Sequence, residues 1–119
     1  MKILVVDDDS DLNRALSRFL EKQGYEVHSA GDALQALDVV ARVEDLGLVI
    51  ADVMMPYLDG ITFTEMLKAD PRNKSLPIIL FSAYPDDKKA DLSLRKGAAF
   101  FLPKPIDFEK LLALVKFAE

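Results

Sequence analysis

The acidic triplet Asp7-Asp8-Asp9, a further carboxylate at Asp52, a hydroxyl at Ser82 and an ammonium at Lys104 each follow a short apolar run. Carboxylates that converge repel one another, and the repulsion is relieved by protonation or by a cation. Mg²⁺ suits such a site because it takes oxygen ligands octahedrally, keeps several waters and is commonly held by one or two carboxylates plus a phosphate. Mn²⁺ would serve in its place. Two carboxylates for a metal, one carboxylate as acceptor, and a hydroxyl and an ammonium for phosphoryl oxygens together make a phosphoryl-transfer constellation.

Composition narrows the alternatives. With no Cys and one His, His28, the chain has no disulfide framework, zinc finger, iron–sulfur cluster or thiol nucleophile. Fifteen Lys and Arg against twenty Asp and Glu give a net charge of −5, which disfavours nucleic acid and anionic membrane surfaces as direct partners. The apolar runs are too short to span a bilayer, and Met1-Lys2 leads straight into a strand-like run without a signal-peptide pattern. These features predict a soluble cytoplasmic protein, and 119 residues suit a single domain over 1–119.

The elements that must position the site alternate. Apolar runs at Ile3–Val6, Tyr25–Ala30, Leu48–Ala51, Ile78–Phe81 and Ala98–Leu102 have strand length, and helical spacing lies between them, as in Leu12, Leu16, Phe19, Leu20 and Leu34, Leu37, Val40, Ala41. Asp32 with Gln35 reads as a capping box, Asp107 as an N-cap, and Gly24 and Gly97 as helix C-terminal glycines. The polar stretch Asp70–Ser75 reads as an ordinary loop. Strands alternating with helices predict an α/β fold: a doubly wound, five-stranded parallel sheet of order 2-1-3-4-5, flavodoxin-like, with the alternating second run at one edge and the proline-terminated fifth at the other. Ligands of such sheets sit beyond the carboxyl ends of the strands, where strand order reverses. That places Asp7, Asp8 and Asp52 around one crevice.

Taken together, Ile3-Leu4-Val5-Val6-Asp7-Asp8-Asp9, Val49-Ile50-Ala51-Asp52-Val53-Met54-Met55-Pro56 with Asp59-Gly60, Phe81-Ser82-Ala83, and Gly97-Ala98 through Leu102-Pro103-Lys104-Pro105 resemble the receiver domain of bacterial two-component response regulators, of the chemotaxis-regulator type. The resemblance covers the whole chain. It implies that Asp52 is the phosphoacceptor, taking a phosphoryl group from a histidine kinase or a histidine phosphotransfer protein in a phosphorelay. It further implies that Asp8 binds Mg²⁺ directly, Asp7 mostly through water and Met54 through its backbone carbonyl, with Asp52 completing the set. Lys104 would pair with the phosphoryl group, the Lys104-Pro105 peptide would be cis, and Ser82 with Phe101 would form a two-state switch. The face made by Asp86–Lys96, the fifth strand and the last helix would carry the signal to a downstream partner. The docking surface for the kinase would be Asp11, Leu12, Arg14, Ala15 and Arg18 with Pro105-Ile106. A protein of this kind catalyses its own modification and is not a metabolic enzyme; whether it is a monomer or a phosphorylation-dependent dimer stays open.

Three residues depart from the commoner family pattern. Ser82 stands where Thr is usual, Phe101 where a Tyr would add a phenolic hydrogen bond, and Met54 places an apolar side chain two residues after the acceptor, where it would shape access of hydrolytic water. Phe100 would take the switch role if the register were displaced by one. Other readings of the same residues are an aspartyl-phosphate phosphatase of the haloacid dehalogenase kind, using Asp7 and Asp9, a non-phosphorylated interaction module, and a flavin-binding domain. The flavin reading is disfavoured by three carboxylates where phosphate donors are needed.

Overall fold

The computed structural model describes residues Met1–Glu119. Five strands and five helices alternate: β1 (Lys2–Val6), α1 (Ser10–Lys22), β2 (Glu26–Ala30), α2 (Ala33–Arg42), β3 (Leu46–Asp52), α3 (Gly60–Ala69), β4 (Ile78–Ser82), α4 (Asp87–Arg95), β5 (Phe100–Pro103) and α5 (Phe108–Ala118). The sheet is wholly parallel with order β2-β1-β3-β4-β5, as the sequence predicts. β2 is an edge, mostly exposed or half-buried, with Val27 packing on the α1/α5 side of the sheet and Ala30 buried on the α2/α3 side. β4 is buried at every position, which fits its continuous apolar sequence.

Period-two alternation sorts the strand side chains into two cores. Ile3, Val5, Leu48, Ile50, Ile79, Phe81 and Leu102 meet Leu16 and Leu20 of α1 and Leu111 and Val115 of α5. Leu4, Val6, Val49, Ala51, Ile78 and Leu80 meet Ala33, Ala36 and Val39 of α2 and Phe63 and Leu67 of α3. Phe19 and Phe108 join α1 to α5, with ring centroids 4.9 Å apart. No helix is long and apolar enough to cross a membrane.

Local details differ from expectation in four places. On α2 the buried residues are Ala33, Ala36 and Val39, while Leu34 is 52% exposed and Ala41 is exposed. The small alanines let the helix lie close against the sheet, and that approach outweighs the larger payload of burying Leu34. The capping box forms only half-way: Asp32 accepts from the Gln35 amide, but the Gln35 side chain accepts from Gly31 N–H instead of the cap's own amide. A 3₁₀ turn occupies Pro71–Asn73 within the predicted loop, started by Pro71 and capped by Asp70. The fifth strand runs Phe100–Pro103, so Ala98 and Ala99 belong to its approach. Asp107 caps α5 as expected, and Gly24 and Gly97 take positive φ one residue beyond the helix caps.

Candidate functional site

The ends of β1 and β3 meet at one crevice because the two strands are neighbours, with β2 to one side and β4 to the other. Asp7 follows β1, Asp52 ends β3, and both are buried. By parity they continue the series Ile3, Val5 and Leu48, Ile50, so they project on the α1/α5 side of the sheet. Asp8 is exposed at the mouth. Oxygens of Asp7, Asp8 and Asp52 lie within 4.8 Å of one another. Opposite ligands of an octahedral Mg²⁺ stand roughly 4 Å apart, so these hard oxygen donors fit such an ion after a small closure or through one bridging water.

Lys104 reaches this crevice from beyond β5. Its ammonium donates to Asp52 Oδ2 at 2.6 Å and pairs with Asp7 Oδ2 at 3.4 Å. Its backbone amide donates to the Ser82 carbonyl at 2.8 Å, and the Lys104-Pro105 peptide is cis. Burial pulls against the charged ammonium, but the hydrogen bond and charge of Asp52, with Asp7 behind it, outweigh that cost and hold Lys104 above the ordinary lysine range. Burial pushes the Asp7 carboxyl above its ordinary value, against the Asp9 amide and the Lys104 charge, which both favour the carboxylate. The crevice gathers three carboxyl groups around a single ammonium, an arrangement that a bound cation would relieve.

Ser82 is fully buried at the end of β4, where its hydroxyl accepts from Tyr84 N–H at 3.2 Å. Phe101 packs half-buried against the α2/α3 core, whereas Phe100 lies on the α5 side and meets Phe117 edge-on at 6.0 Å. The register thus puts Phe101, and not Phe100, on the face that Leu80 and Ser82 share by parity. Met54 is 56% exposed; its amide donates to Asp52 Oδ1 at 3.1 Å. On α1, Asp11, Arg14, Ala15 and Arg18 are exposed and Leu12 is half-buried. Asp9 is committed to capping α1, accepting from the Asp11 and Leu12 amides, which removes it from the general-acid role the phosphatase reading gave it.

Two residues to which the sequence reading gave no role support the site. Asn13 is buried on α1, and its side-chain amide donates to the carbonyls of Ala30 at 2.9 Å, Asp7 at 3.2 Å and Val5 at 3.5 Å. It ties the ends of β1 and β2 beneath the acidic crevice. Its signal was its place on the Asn13, Leu16, Leu20 stripe, a polar residue on the buried face of a helix. Gly60, at the start of α3, packs under Asp52: its amide donates to Val53 O at 2.8 Å, and a Cβ there would collide with the Asp52 carbonyl.

Comparison with known proteins follows the same lines. A family model described as "Response regulator receiver domain" matches residues 3–116. The chain is 40% identical over 116 residues to "Response regulator MprA" of Mycobacterium leprae, covering 98% of this chain and 50% of that protein. It is 39% identical over 115 residues to the "Transcriptional regulatory protein CpxR homolog" of Haemophilus influenzae, covering 97% and 48%. The chain thus spans about half the length of the curated relatives it matches. Among solved structures, chemotaxis response regulator CheY4 of Vibrio cholerae superposes with TM-score 0.91 at 29% identity over 99% of this chain and 98% of that one. The Francisella response regulator 1452 receiver domain gives TM-score 0.90 at 29% identity, covering 98% and 94%.

Proposed function

This chain belongs to the response regulator receiver domain family of two-component signalling, a family that is not one of metabolic enzymes, and from that premise we propose that Asp52 is its phosphoacceptor. One observation carries the reading: Asp52 Oδ2 lies 2.6 Å from the Lys104 ammonium while Asp7 and Asp8 stand within 4.8 Å, leaving the carboxylate flanked by a cation and by metal-binding oxygens. Receiver domains bind Mg²⁺ through an acidic cluster, and here Asp7, Asp8, Asp52 and the Met54 carbonyl would hold it. The ion supplies charge neutralisation on the phosphoryl oxygens.

In the transfer, an Asp52 oxygen attacks phosphorus, a P–O bond forms, and the P–N bond of the donor's phosphohistidine breaks, its electron pair leaving on the imidazole nitrogen. Lys104 turns from Asp52 to a phosphoryl oxygen, offering a fixed point charge where negative charge collects. Ser82 has one hydrogen bond to exchange, from the Tyr84 amide, so its hydroxyl is free to donate toward the phosphoryl group. That displacement opens space toward which Phe101 turns, biasing the α4-β5-α5 face between two arrangements. Receiver domains work with histidine kinases and output domains; for this chain we assign kinase docking to Leu12, Arg14 and Arg18 of α1 with Pro105-Ile106.

Intact mass after incubation with Mg²⁺ and acetyl phosphate tests the reading. One added phosphoryl group is expected, absent in Asp52→Asn and in a chelator control. No adduct, together with no beryllofluoride-induced NMR shifts, would replace phosphorylation with the interaction-module reading.

A further inference from the structure

We propose that the ring of Phe81 is a positioning residue for Lys104, holding the ammonium over its π face so that it stays aimed at the acceptor as the charge on Asp52 changes. The proposal rests on the phosphoacceptor reading above. Phe81 is fully buried on β4 and is the ladder partner of Asp52 on one side and of Leu102 on the other. Ladder partners project from the same face, so the ring lies beneath the line that joins Asp52 to the side chain of Lys104. Lys104 Nζ stands 5.2 Å from the ring centroid, within the range of cation–π attraction, and only 17% of the lysine side chain is exposed.

Lys104 therefore has three attractors: Asp52, Asp7 and the Phe81 face. The two carboxylates change in the reaction. Asp52 becomes a neutral acyl phosphate oxygen at the point of attachment, and Asp7, with Asp8, would be shared with a bound Mg²⁺. The ring quadrupole is the one attraction that does not change. It fixes the base of the ammonium's arc while the phosphoryl group supplies the new partner. An aliphatic side chain at 81 would fill the same core between α1, α5 and the sheet without that attraction.

Site-specific replacement of Phe81 by mono-, di- and trifluorinated phenylalanine tests this, because fluorine withdraws charge from the ring face while nearly keeping its shape. The rate constant for phosphorylation by acetyl phosphate with Mg²⁺ is read by intact mass, with urea unfolding run on each protein. The expected result is a stepwise fall with each fluorine, reaching about two- to fivefold, at a constant unfolding midpoint. In parallel, the Lys104 ε-methylene protons of the unphosphorylated protein should show an upfield ring-current shift that Phe81→Leu abolishes. A flat series in a protein that does take up phosphate, or no ring-current shift, overturns the proposal alone. A wild type that takes up no phosphate overturns the phosphoacceptor reading, and the proposal with it.

Discussion

The Lys104 ammonium and the Asp52 carboxylate close a 2.6 Å ion pair between strands that are not neighbours, since β4 runs between β3 and β5. Two inter-strand steps amount to about 9.6 Å, a span that only a long side chain leaning back over the intervening strand can cover. Side-chain length thus explains a lysine at this position as much as charge does. The pair is mostly shielded from water, so its two members depend on each other.

Lys104→Met leaves Asp7 and Asp52 facing each other without their shared cation. Urea denaturation at neutral pH should show a loss of about 2–4 kcal/mol, and millimolar Mg²⁺ should restore part of it. Phosphorylation by acetyl phosphate should slow by at least about tenfold.

Asn13→Leu removes a buried donor from three carbonyl oxygens at the ends of β1 and β2. Stability should fall by about 1–3 kcal/mol, and calorimetric Mg²⁺ affinity should fall with it, because Asp7 loses its backbone anchor. Unchanged affinity would confine Asn13 to a stability role.

The loop after Asp52 and the start of α3 offer opposite outcomes at two residues. Gly60→Ala should push the Asp52 carbonyl out of place and lower both the unfolding midpoint and the phosphorylation rate. Tyr57, 77% exposed at φ 72°, is a large residue in the left-handed region. Tyr57→Gly should therefore stabilise the protein by about 1 kcal/mol in urea.

Met54→Asn replaces an exposed apolar side chain beside Asp52 with one able to orient water. A shorter phosphoryl lifetime is expected, followed by loss of the mass adduct after the donor is removed. An unchanged lifetime would count against Met54 as a shield.

A pH dependence follows from Tyr25, whose phenol is pushed up to about 12 chiefly by the neighbouring Glu119 carboxylate, then by burial. The folded state holds this proton more tightly than the unfolded chain, in which a phenol titrates near 10. The contribution to stability is full below about pH 10 and is lost as pH rises toward 12. Absorbance at 295 nm should show a late step that Tyr25→Phe removes.

The strand order, the two edges and the crevice carrying Asp7, Asp8 and Asp52 were all legible in the sequence. In a doubly wound sheet, continuous apolar runs mark the strands covered on both faces and broken ones the edges, and the residue that ends a run lies where ligands bind. Local rules read less well wherever two elements had to approach closely. Leu34 matched a helical stripe yet stands in solvent, because Ala33 and Ala36 permit the nearer approach.

Asn13 and Phe81 show what the sequence by itself leaves undetermined. Asn13 takes its meaning from the Val5, Asp7 and Ala30 carbonyls, and Phe81 from an ammonium arriving beyond the next strand. Residue types and periodicity established the fold and the chemical groups of the site. Tertiary structure alone decided which buried side chains hold those groups in place, because a hydrogen bond or a ring contact depends on distances between segments remote in the chain.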